Sequence, residues 1–225
     1  MTASFTILSP YGLDASACIA LESNDHVHLS EVDAQALGID LSQVRKHLGI
    51  AGQWACTARV TLINDDGTSR KIAVLGPSRK ASQVELAPKA YATAFGIAMS
   101  ECPAPRNSGE ISGCKTIQIT GPNGNSIAVA ALIPREHAHS ADPKLTGKTI
   151  VVMAPSGKIF RLPIKGDATT DGLVHFHFHN DHMREWEASP TITPFEVWIE
   201  WMMTSARICS LPAEAYFRSM VEFTR

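Results

Sequence analysis

The sequence lacks the features of a membrane or nucleic-acid-binding protein. No apolar run is long enough to cross a bilayer. The formal net charge of −2 provides no basic excess for nonspecific binding to nucleic acid or an anionic membrane surface. The N-terminal segment MTASFTILSPYG has neither the basic start nor the apolar core of a secretory signal. These absences predict a soluble, cytoplasmic protein with no membrane and no nucleic-acid partner.

Cysteine is scarce, and its spacing argues against a disulfide framework. The chain has five cysteines, an odd number, and no C-x-x-C motif. They are Cys18, Cys56, Cys102, Cys114 and Cys209. Free thiols in a reducing compartment are therefore expected. Cys56 lies in the apolar stretch GQWACTARVTL and is expected to be a buried hydrophobic residue.

Histidine, in contrast, is clustered. Seven of the nine histidines lie in three short segments: His26 and His28 in DHVHLS, His137 and His139 in REHAHS, and His175, His177 and His179 in LVHFHFHN. Residues i and i+2 of an extended segment point to the same side, so each pair can direct two imidazoles at one point. This pattern predicts divalent metal binding. The alternative for the third segment is a surface strand whose histidines face solvent.

Most of the chain predicts short strands joined by turns. TARVTLIND and RKIAVLG flank the hairpin signal Asp65-Asp66-Gly67. KTIQIT with SIAVAALI, and KTIVVMA with IFRLPI, form two further strand-turn-strand units. Helical segments are few: Ser30 can cap a helix over EVDAQALGI that ends near Gly38, and LAPKAYATAFGI is a second short helix. The fold class predicted is mainly β with short helices.

A faint internal repeat divides the chain. Each half has a His-x-His segment followed by a hairpin, which predicts two small β-barrel domains with a site between them. The predicted domains are residues 18–100 and 101–187, with approximate boundaries and strands free to exchange between the barrels. Residues 188–225 are predicted to be a helical C-terminal extension.

The C-terminal extension begins with a helix signal. Thr193-Pro194-Phe195-Glu196 resembles a capping box with proline at the first helical position. One face of that helix would carry the apolar residues Phe195, Trp198, Ile199, Met202 and Met203. Three alternatives stay open for this face: packing on a barrel, a homodimer interface, or a lid over the site.

Two loops carry residues suited to an anion. In VLGPSRKASQVEL, Arg79 and Lys80 follow a Gly-Pro turn, and the guanidinium fork suits phosphate oxygens. Glu85, six residues after Arg79, could complete a metal site begun by a histidine pair. In PAPRNSGEISG, the hydroxyl of Ser108 and the N–H of Gly109 could hold phosphate. From composition alone, ordinary solvated loops are the favoured interpretation.

Taken in order, these stretches resemble one family. DHVHLS, GQWACTARVTL, VLGPSRKASQVE, APRNSGEISG, ITGPNGN and the second His-x-His are similar to the phosphate propanoyltransferases, the microcompartment-type phosphotransacylases. The resemblance covers residues 18–140 well and continues more loosely to about residue 182. It implies two β-barrels, two divalent metal ions, zinc above all, and the reaction acyl-CoA + phosphate ⇌ acyl phosphate + CoA with a short acetyl or propionyl chain.

The resemblance also implies roles for single residues. One metal would be held by His26, His28 and Glu85, and the other by His137, His139 and His177, with His177 preferred over His175 and His179. Arg79 would be the catalytic residue and would bind phosphate with Ser108 and Gly109. Asp25, directly before the first pair, adds a negative charge that we expect to weaken phosphate binding.

The implied chemistry needs no enzyme nucleophile. A zinc ion with an open position favours the thiolate of CoA, which attacks the acyl-phosphate carbonyl. Glu85 as a general base is the lesser alternative to Glu85 as a ligand. The expected partners are CoA, phosphate and a short-chain acyl phosphate, with acyl-CoA-producing or kinase enzymes working alongside. The N-terminus shows no clear encapsulation helix, so a cytoplasmic location is expected, with a bacterial microcompartment as the alternative.

Two other functions stay open from the sequence. The chain could be a catalytically degenerate relative that binds metal or CoA, or a metal-dependent hydrolase of acyl phosphates or thioesters in which the metals activate water. A requirement for free CoA separates the hydrolase from the transferase.

Overall fold

The structure is a computed structural model that describes residues 2–4, 7–8, 18–153, 158–187 and 195–200. Its strands are β1 (Thr2–Ser4), β2 (Ile7–Leu8), β3 (Cys18–Glu22), β4 (His26–His28), β5 (Val44–His47), β6 (Trp54–Ile63), β7 (Ser69–Gly76), β8 (Gln83–Glu85), β9 (Thr116–Thr120), β10 (Ser126–Leu132), β11 (His137–His139), β12 (Thr149–Met153), β13 (Ile159–Lys165), β14 (Val174–Phe178) and β15 (Phe195–Glu200). Its helices are α1 (Glu31–Ala36), α2 (Pro88–Ala94), a 3-10 turn (Met99–Glu101) and α3 (Asn180–Glu187). The predicted mainly β fold class is confirmed.

The first sheet closes into a barrel. Its strand order is β5-β6-β7-β4-β8-β10-β9, and β6 also pairs with β9, so six strands form a closed ring with β5 attached at one side. Alternate residues of β6 and β7 point inward: Val60 and Leu62 are fully buried, as is Val74. Burying each such side chain contributes roughly 1.5–3 kcal/mol to the hydrophobic stabilisation. The barrel is therefore a packed scaffold for whatever lies at its rim.

Two short helices close this barrel. The Ser30 hydroxyl accepts a hydrogen bond from the Asp33 N–H at the start of α1, as its sequence predicts, and Gly38 ends the turn with a φ of +70°. Helix α2 starts at Pro88 and buries Tyr91 against the core. Both predicted helices are confirmed. None of the helices within the described ranges is both long and apolar enough to cross a membrane.

The second sheet repeats the topology of the first. Its order is β1-β3-β14-β11-β13-β12-β15-β2, and it does not close within the described residues. In the first sheet β4 lies parallel to β7 and antiparallel to β8; in the second β11 lies parallel to β13 and antiparallel to β14. Strand β10 runs parallel to β8, and β3 runs parallel to β14. Each sheet thus contains strands from the other part of the chain, β9 and β10 in the first and β1, β2 and β3 in the second, and the domain boundaries stay a prediction.

The three predicted hairpins are present, but the C-terminal prediction needs correction. β6–β7, β9–β10 and β12–β13 are antiparallel pairs, and Gly67 takes a φ of +81° in the first turn. Phe195–Glu200, predicted to start a helix, instead form β15 on the edge of β12. The segment FEVWIE is rich in β-favouring residues, and β12 offers an unpaired edge, so pairing overrides the capping signal. Residues 188–194 and 201–225 lie outside the described residues.

Candidate metal centres and substrate cleft

The first cluster is built from β4 and β8. His26 and His28 project to the same side of β4, and the register places Glu85 of β8 directly opposite His26. His26 Nε2 lies 3.4 Å from Glu85 Oε2, and His28 Nε2 lies 3.8 Å from Glu85 Oε1. His28 and Glu85 are buried, with 3% and 5% of their surface exposed. Three candidate ligand atoms therefore converge at the barrel rim, all within 4.8 Å of one another.

The second cluster has the same plan on β11 and β14. His137 and His139 share one side of β11, and the register places His177 opposite His137. Their ring centroids are 4.6–5.1 Å apart, and one ligand atom from each lies within 4.8 Å of the others. His177 thus occupies, in the second repeat, the position that Glu85 occupies in the first. The predicted choice of His177 for this cluster agrees with the geometry, although its role as a ligand stays a prediction.

Backbone carbonyls fix the orientation of the first histidine in each pair. His26 Nδ1 donates to the carbonyl of Asn24 at 2.7 Å, and His137 Nδ1 donates to the carbonyl of Arg135 at 2.8 Å. A proton on Nδ1 leaves the lone pair on Nε2, which faces the cluster. Donation of the outer ring nitrogen to a carbonyl or carboxylate is the usual arrangement around histidines that bind metals.

Four of these histidines are held in the neutral form. Burial, with a contribution from the charge of His26, lowers the pKa of His28 to about 3. Burial and then Lys165 lower the pKa of His137 to about 4, and burial also lowers the pKa of His139 to about 3. The pKa of His177 falls well below its usual value, again mainly through burial. Neutral imidazole is the form that binds a metal.

His26 and Glu85 each favour the charged form of the other. Burial acts to lower the pKa of His26, but its hydrogen bond to Glu85 and the carboxylate charge outweigh that effect and raise it. For Glu85, burial acts to raise the pKa, and the bond and charge of His26 outweigh it in the opposite direction. The carboxylate is therefore ionised at neutral pH, as a ligand must be.

The side chains fit divalent ions at both clusters. His137 Nε2 and His139 Nε2 lie 2.8 Å apart. His139 Nδ1 lies 3.2 Å from the carboxylate of Asp167, and two ring nitrogens as close as these Nε2 atoms can both bind one cation. Among the residues that the structure describes, none bonds His177 Nε2, which is buried. Ligands about 2.0–2.1 Å from a tetrahedral zinc are roughly 3.3 Å apart, close to the spacings in both clusters.

Gln83 connects the first cluster to the loop that follows, and the sequence patterns did not single it out. It is 2% exposed, and its Nε2 donates to Glu85 Oε1 at 2.6 Å and to Ser108 Oγ at 2.7 Å. Its Oε1 accepts from the Gly109 N–H at 2.9 Å. The position of Gln83 two residues before Glu85 on a strand was the available signal, because both side chains face the same side.

The hydrogen bonds of Gln83 occupy Ser108 and Gly109, the two residues predicted to bind phosphate. Ser108 lines the cleft; its oxygen accepts from Gln83, and its hydroxyl hydrogen-bonds the Glu85 carboxylate, which helps to lower the pKa of Glu85. The Gly109 N–H is already satisfied by Gln83 in this conformation. Gly109 itself has a φ of +93°, a backbone conformation that a residue with a Cβ rarely adopts. Binding of phosphate by Gly109 stays a prediction, and its visible contact is internal.

Arg79 extends from the loop after β7 into the cleft. Its N–H donates to the carbonyl of Leu29 at 2.8 Å, which fixes the backbone, while the side chain is exposed. Close packing supports the loop: a Cβ on Gly76 would lie 2.3 Å from the Trp54 ring. The negative charge expected to disfavour phosphate, that of Asp25, is paired with Arg70 at 2.7 Å. Its other carboxylate oxygen accepts a backbone N–H, so Asp25 has a structural role.

His175 on β14 and His179, directly after that strand, have different partners. His175 is 1% exposed, and its Nε2 bonds the carboxylate of Asp171 at 2.9 Å. A Cβ on Gly49 would lie 2.5 Å from the His175 ring, so this imidazole packs against the β5–β6 connection. His179 Nε2 donates to the carbonyl of Pro134 at 2.7 Å. His175 thus lies beside the second cluster, opposite His139 and lining the same cleft, but its Nε2 is bonded to Asp171, whereas His179 bonds the backbone before β11.

Both clusters line one cleft of about 900 Å³, together with Arg79 and Ser108. The cleft is also lined by seven lysine and arginine residues and by only four carboxylates. The basic residues are Arg45, Lys46, Arg59, Arg70, Lys71, Arg79 and Lys165. A basic cleft with two histidine clusters at its base suits an anionic substrate.

Residues 20–164 match the family model described as phosphate propanoyltransferase. The chain belongs to the phosphate propanoyltransferase family. The protein named phosphate propanoyltransferase of Thermotoga maritima is 37% identical over 121 residues, which cover 52% of this chain and 55% of that relative. The one of Rhodobacter capsulatus is 32% identical over 166 residues, covering 68% of this chain and 74% of the relative. The chain thus spans between about half and three quarters of the length of these two relatives.

The family match includes five of the six clustered residues. It ends at residue 164, so Lys165 and His177 lie beyond it. The presence of a third histidine beside His137 and His139 therefore depends on the strand register of β14. The phosphate propanoyltransferase family was the resemblance expected from the motifs, and that expectation is confirmed.

Proposed function

We propose that this protein is a phosphotransacylase that interconverts acyl-CoA and phosphate with acyl phosphate and CoA, using two divalent metal ions. One observation carries the proposal: two three-residue clusters of matched geometry face a single basic cleft that Arg79 also lines. Family membership supplies the reaction class. We propose acetyl or propionyl as the acyl group and zinc as the metal, since imidazole and carboxylate ligands suit it.

The proposed ligands divide between the repeats. One ion would be held by His26, His28 and Glu85. The other would be held by three imidazoles, those of His137, His139 and His177. When bound, the ions would supply Lewis acidity that favours the thiolate of CoA and offsets charge on the reacting oxygens. Gln83 would keep the Glu85 carboxylate in position, because its amide donates to one carboxylate oxygen.

Arg79 is proposed to bind the phosphate group. Its guanidinium can contact two phosphate oxygens at once, and its backbone is fixed by the bond to Leu29. The Ser108 hydroxyl, next to Glu85 on the same cleft, would be a further phosphate contact if it turned from Glu85 to the substrate. These contacts would hold the acyl phosphate with its carbonyl carbon open to attack, and they would be strongest when the phosphate leaves with full charge.

In the direction of thioester synthesis, the CoA sulfur attacks the acyl carbonyl carbon. A C–S bond forms, the C–O bond to phosphate breaks, and phosphate departs with the electron pair. The thiol proton leaves to solvent or to the released phosphate, so no enzyme group is consumed. Arg79 would neutralise the charge that accumulates on the leaving phosphate.

The outer part of the cleft suits the remainder of CoA, which carries several phosphates. Strand β5 contributes Arg45, Lys46 and His47, all exposed and all lining the cleft. Lys71 adds a further cation from β7. A polyanionic substrate would gain affinity from this strip, and that gain would weaken with increasing salt.

The test follows both substrates in parallel. Purified, metal-loaded protein is incubated with propionyl phosphate with and without CoA, and the loss of acyl phosphate and the formation of thioester are measured. The proposal predicts one thioester for each acyl phosphate consumed, and no consumption above the spontaneous rate without CoA. Equal consumption without CoA would identify a hydrolase, and CoA binding without turnover would identify a degenerate relative; either result contradicts the transferase.

A further inference from the structure

The second repeat places a lysine at the mouth of its own cluster. Lys165 is the last residue of β13, and the register sets it directly beside His139 of the parallel neighbour β11. The side chain is half-buried and lines the same cleft as Arg79. No lysine was expected here, because the sequence patterns directed attention to the loop around Arg79.

The charge of Lys165 acts on residues of both repeats, but no described residue forms an ion pair with it. It contributes to the lowered pKa of His137 and of His139, after burial. Burial lowers the pKa of Lys165 itself, and the charges of Glu85 and Asp167 partly offset that effect. Within the described part of the chain, no carboxylate lies within ion-pair distance of its ammonium. Asp167, two residues away, is turned toward His139.

The topological repeat allows the cations of the two halves to be compared position by position. The register that pairs His139 with Lys165 pairs His28 with Leu75 in the first repeat. Counting four residues onward from each strand position reaches Arg79 in the first repeat and Thr169 in the second. Thr169 is buried, with its hydroxyl donating to a backbone carbonyl. The second repeat therefore has no counterpart of Arg79 on its loop, and Lys165 is the cation that it presents.

We propose that Lys165, together with Arg79, binds the phosphate group of the substrate, one cation coming from each repeat. This inference rests on the proposed phosphotransacylase function. A purely structural lysine would have an ion-pair partner or would extend into bulk solvent, and this ammonium has neither arrangement in the described residues. A flexible point charge on one side and a planar guanidinium on the other would enclose a tetrahedral phosphate. Lys165 is thus a substrate-binding residue.

The experiment measures binding of inorganic phosphate to the metal-loaded protein by the phosphate dependence of its thermal unfolding, alongside the KM for phosphate and for acyl-CoA. The variants are Lys165→Met, which keeps the length of the side chain, and Lys165→Arg, which keeps its charge. Lys144→Met is the matched control, because Lys144 is exposed in the loop after β11 and does not line the cleft. Metal content is measured for every variant.

Lys165→Met is expected to weaken phosphate binding and raise the KM for phosphate by about tenfold or more, as loss of a charge-assisted contact would. Lys165→Arg should stay within about threefold of the parent, and Lys144→Met should be unchanged. Unaltered phosphate binding in Lys165→Met, a rise only in the KM for acyl-CoA, or no phosphate binding by the parent protein would overturn the inference. If the parent binds phosphate through Lys165 but forms no thioester, the proposed function fails and the phosphate site stands.

Discussion

Two neighbouring histidines on β14 should respond in opposite ways to the same substitution. His177 faces the second cluster, and its buried Nε2 has no hydrogen-bond partner in the described part of the chain. His175, two residues earlier, is bonded to Asp171 and packs on Gly49. We therefore expect His177→Ala to reduce bound metal from two ions per chain to one, whereas His175→Ala should keep both ions and lower stability.

The size of the stability loss follows from burial. His175 is 1% exposed, and its replacement by alanine leaves a cavity of aromatic-ring size, which costs about 2–4 kcal/mol by comparison with large-to-small core substitutions. The remaining Asp171 carboxylate is 42% exposed and can be hydrated, so it adds little to that cost. For a chain of this length the loss corresponds to a fall in Tm of roughly 5–15 °C.

The assay is elemental analysis of desalted protein combined with thermal unfolding. His47→Ala is the matched control, since His47 lines the cleft from β5 but is exposed and belongs to neither cluster. It should change neither metal content nor Tm. If His175→Ala lost an ion and His177→Ala kept two, the assignment of ligands from the strand register would be refuted.

Three further predictions concern substrate, network and pH. Arg79→Ala should raise the KM for phosphate about 10- to 100-fold and leave the Tm unchanged. Lys80 is exposed and does not line the cleft, so Lys80→Ala should leave both the KM and the Tm unchanged. Steady-state kinetics and thermal unfolding check both variants. Gln83→Leu should weaken metal binding at the first cluster about 10- to 100-fold in a chelator competition, and retention of parent affinity would show that its hydrogen bonds do not orient the cluster. In metal-free protein, His28 and His139 have pKa values of about 3 in the folded state, below their value in the unfolded chain. As pH falls below about 6.5, the unfolded chain takes up protons that the folded protein does not, so the free energy of unfolding decreases from there toward pH 3. Between pH 7.5 and 5.5 each of these two histidines should lower the free energy of unfolding by about 1 kcal/mol. The Tm of chelated protein should therefore fall across this range, and a constant Tm would contradict the prediction.

The parts of the fold that local signals determine could be predicted. The hairpin of β6 and β7 follows from alternating apolar residues and an Asp-Gly turn, and α1 follows from its Ser30 cap. The two His-x-His segments are strands, so the expected convergence of each pair is also present. Cys56, expected to be buried, is 1% exposed and is a free thiol.

Long-range pairing determined the rest, and a local pattern does not encode it. Strand β3 was not predicted to join β14, nor was α3 expected after His179. Phe195–Glu200 carried a helix-start signal, yet the open edge of β12 recruits them as a strand. Gln83 and Lys165 were passed over because their significance depends on which residues lie opposite them once the strands are paired.

The central claim is that two metal clusters serve transfer between acyl phosphate and CoA. Its most direct test is the rate of thioester formation from propionyl phosphate and CoA by one preparation in three states: metal-loaded, chelated with verified metal removal, and reconstituted with zinc. The account predicts turnover, its loss and its recovery, in proportion to the ions bound. A folded, metal-loaded protein that formed no thioester, or one whose rate survived complete metal removal, would contradict it.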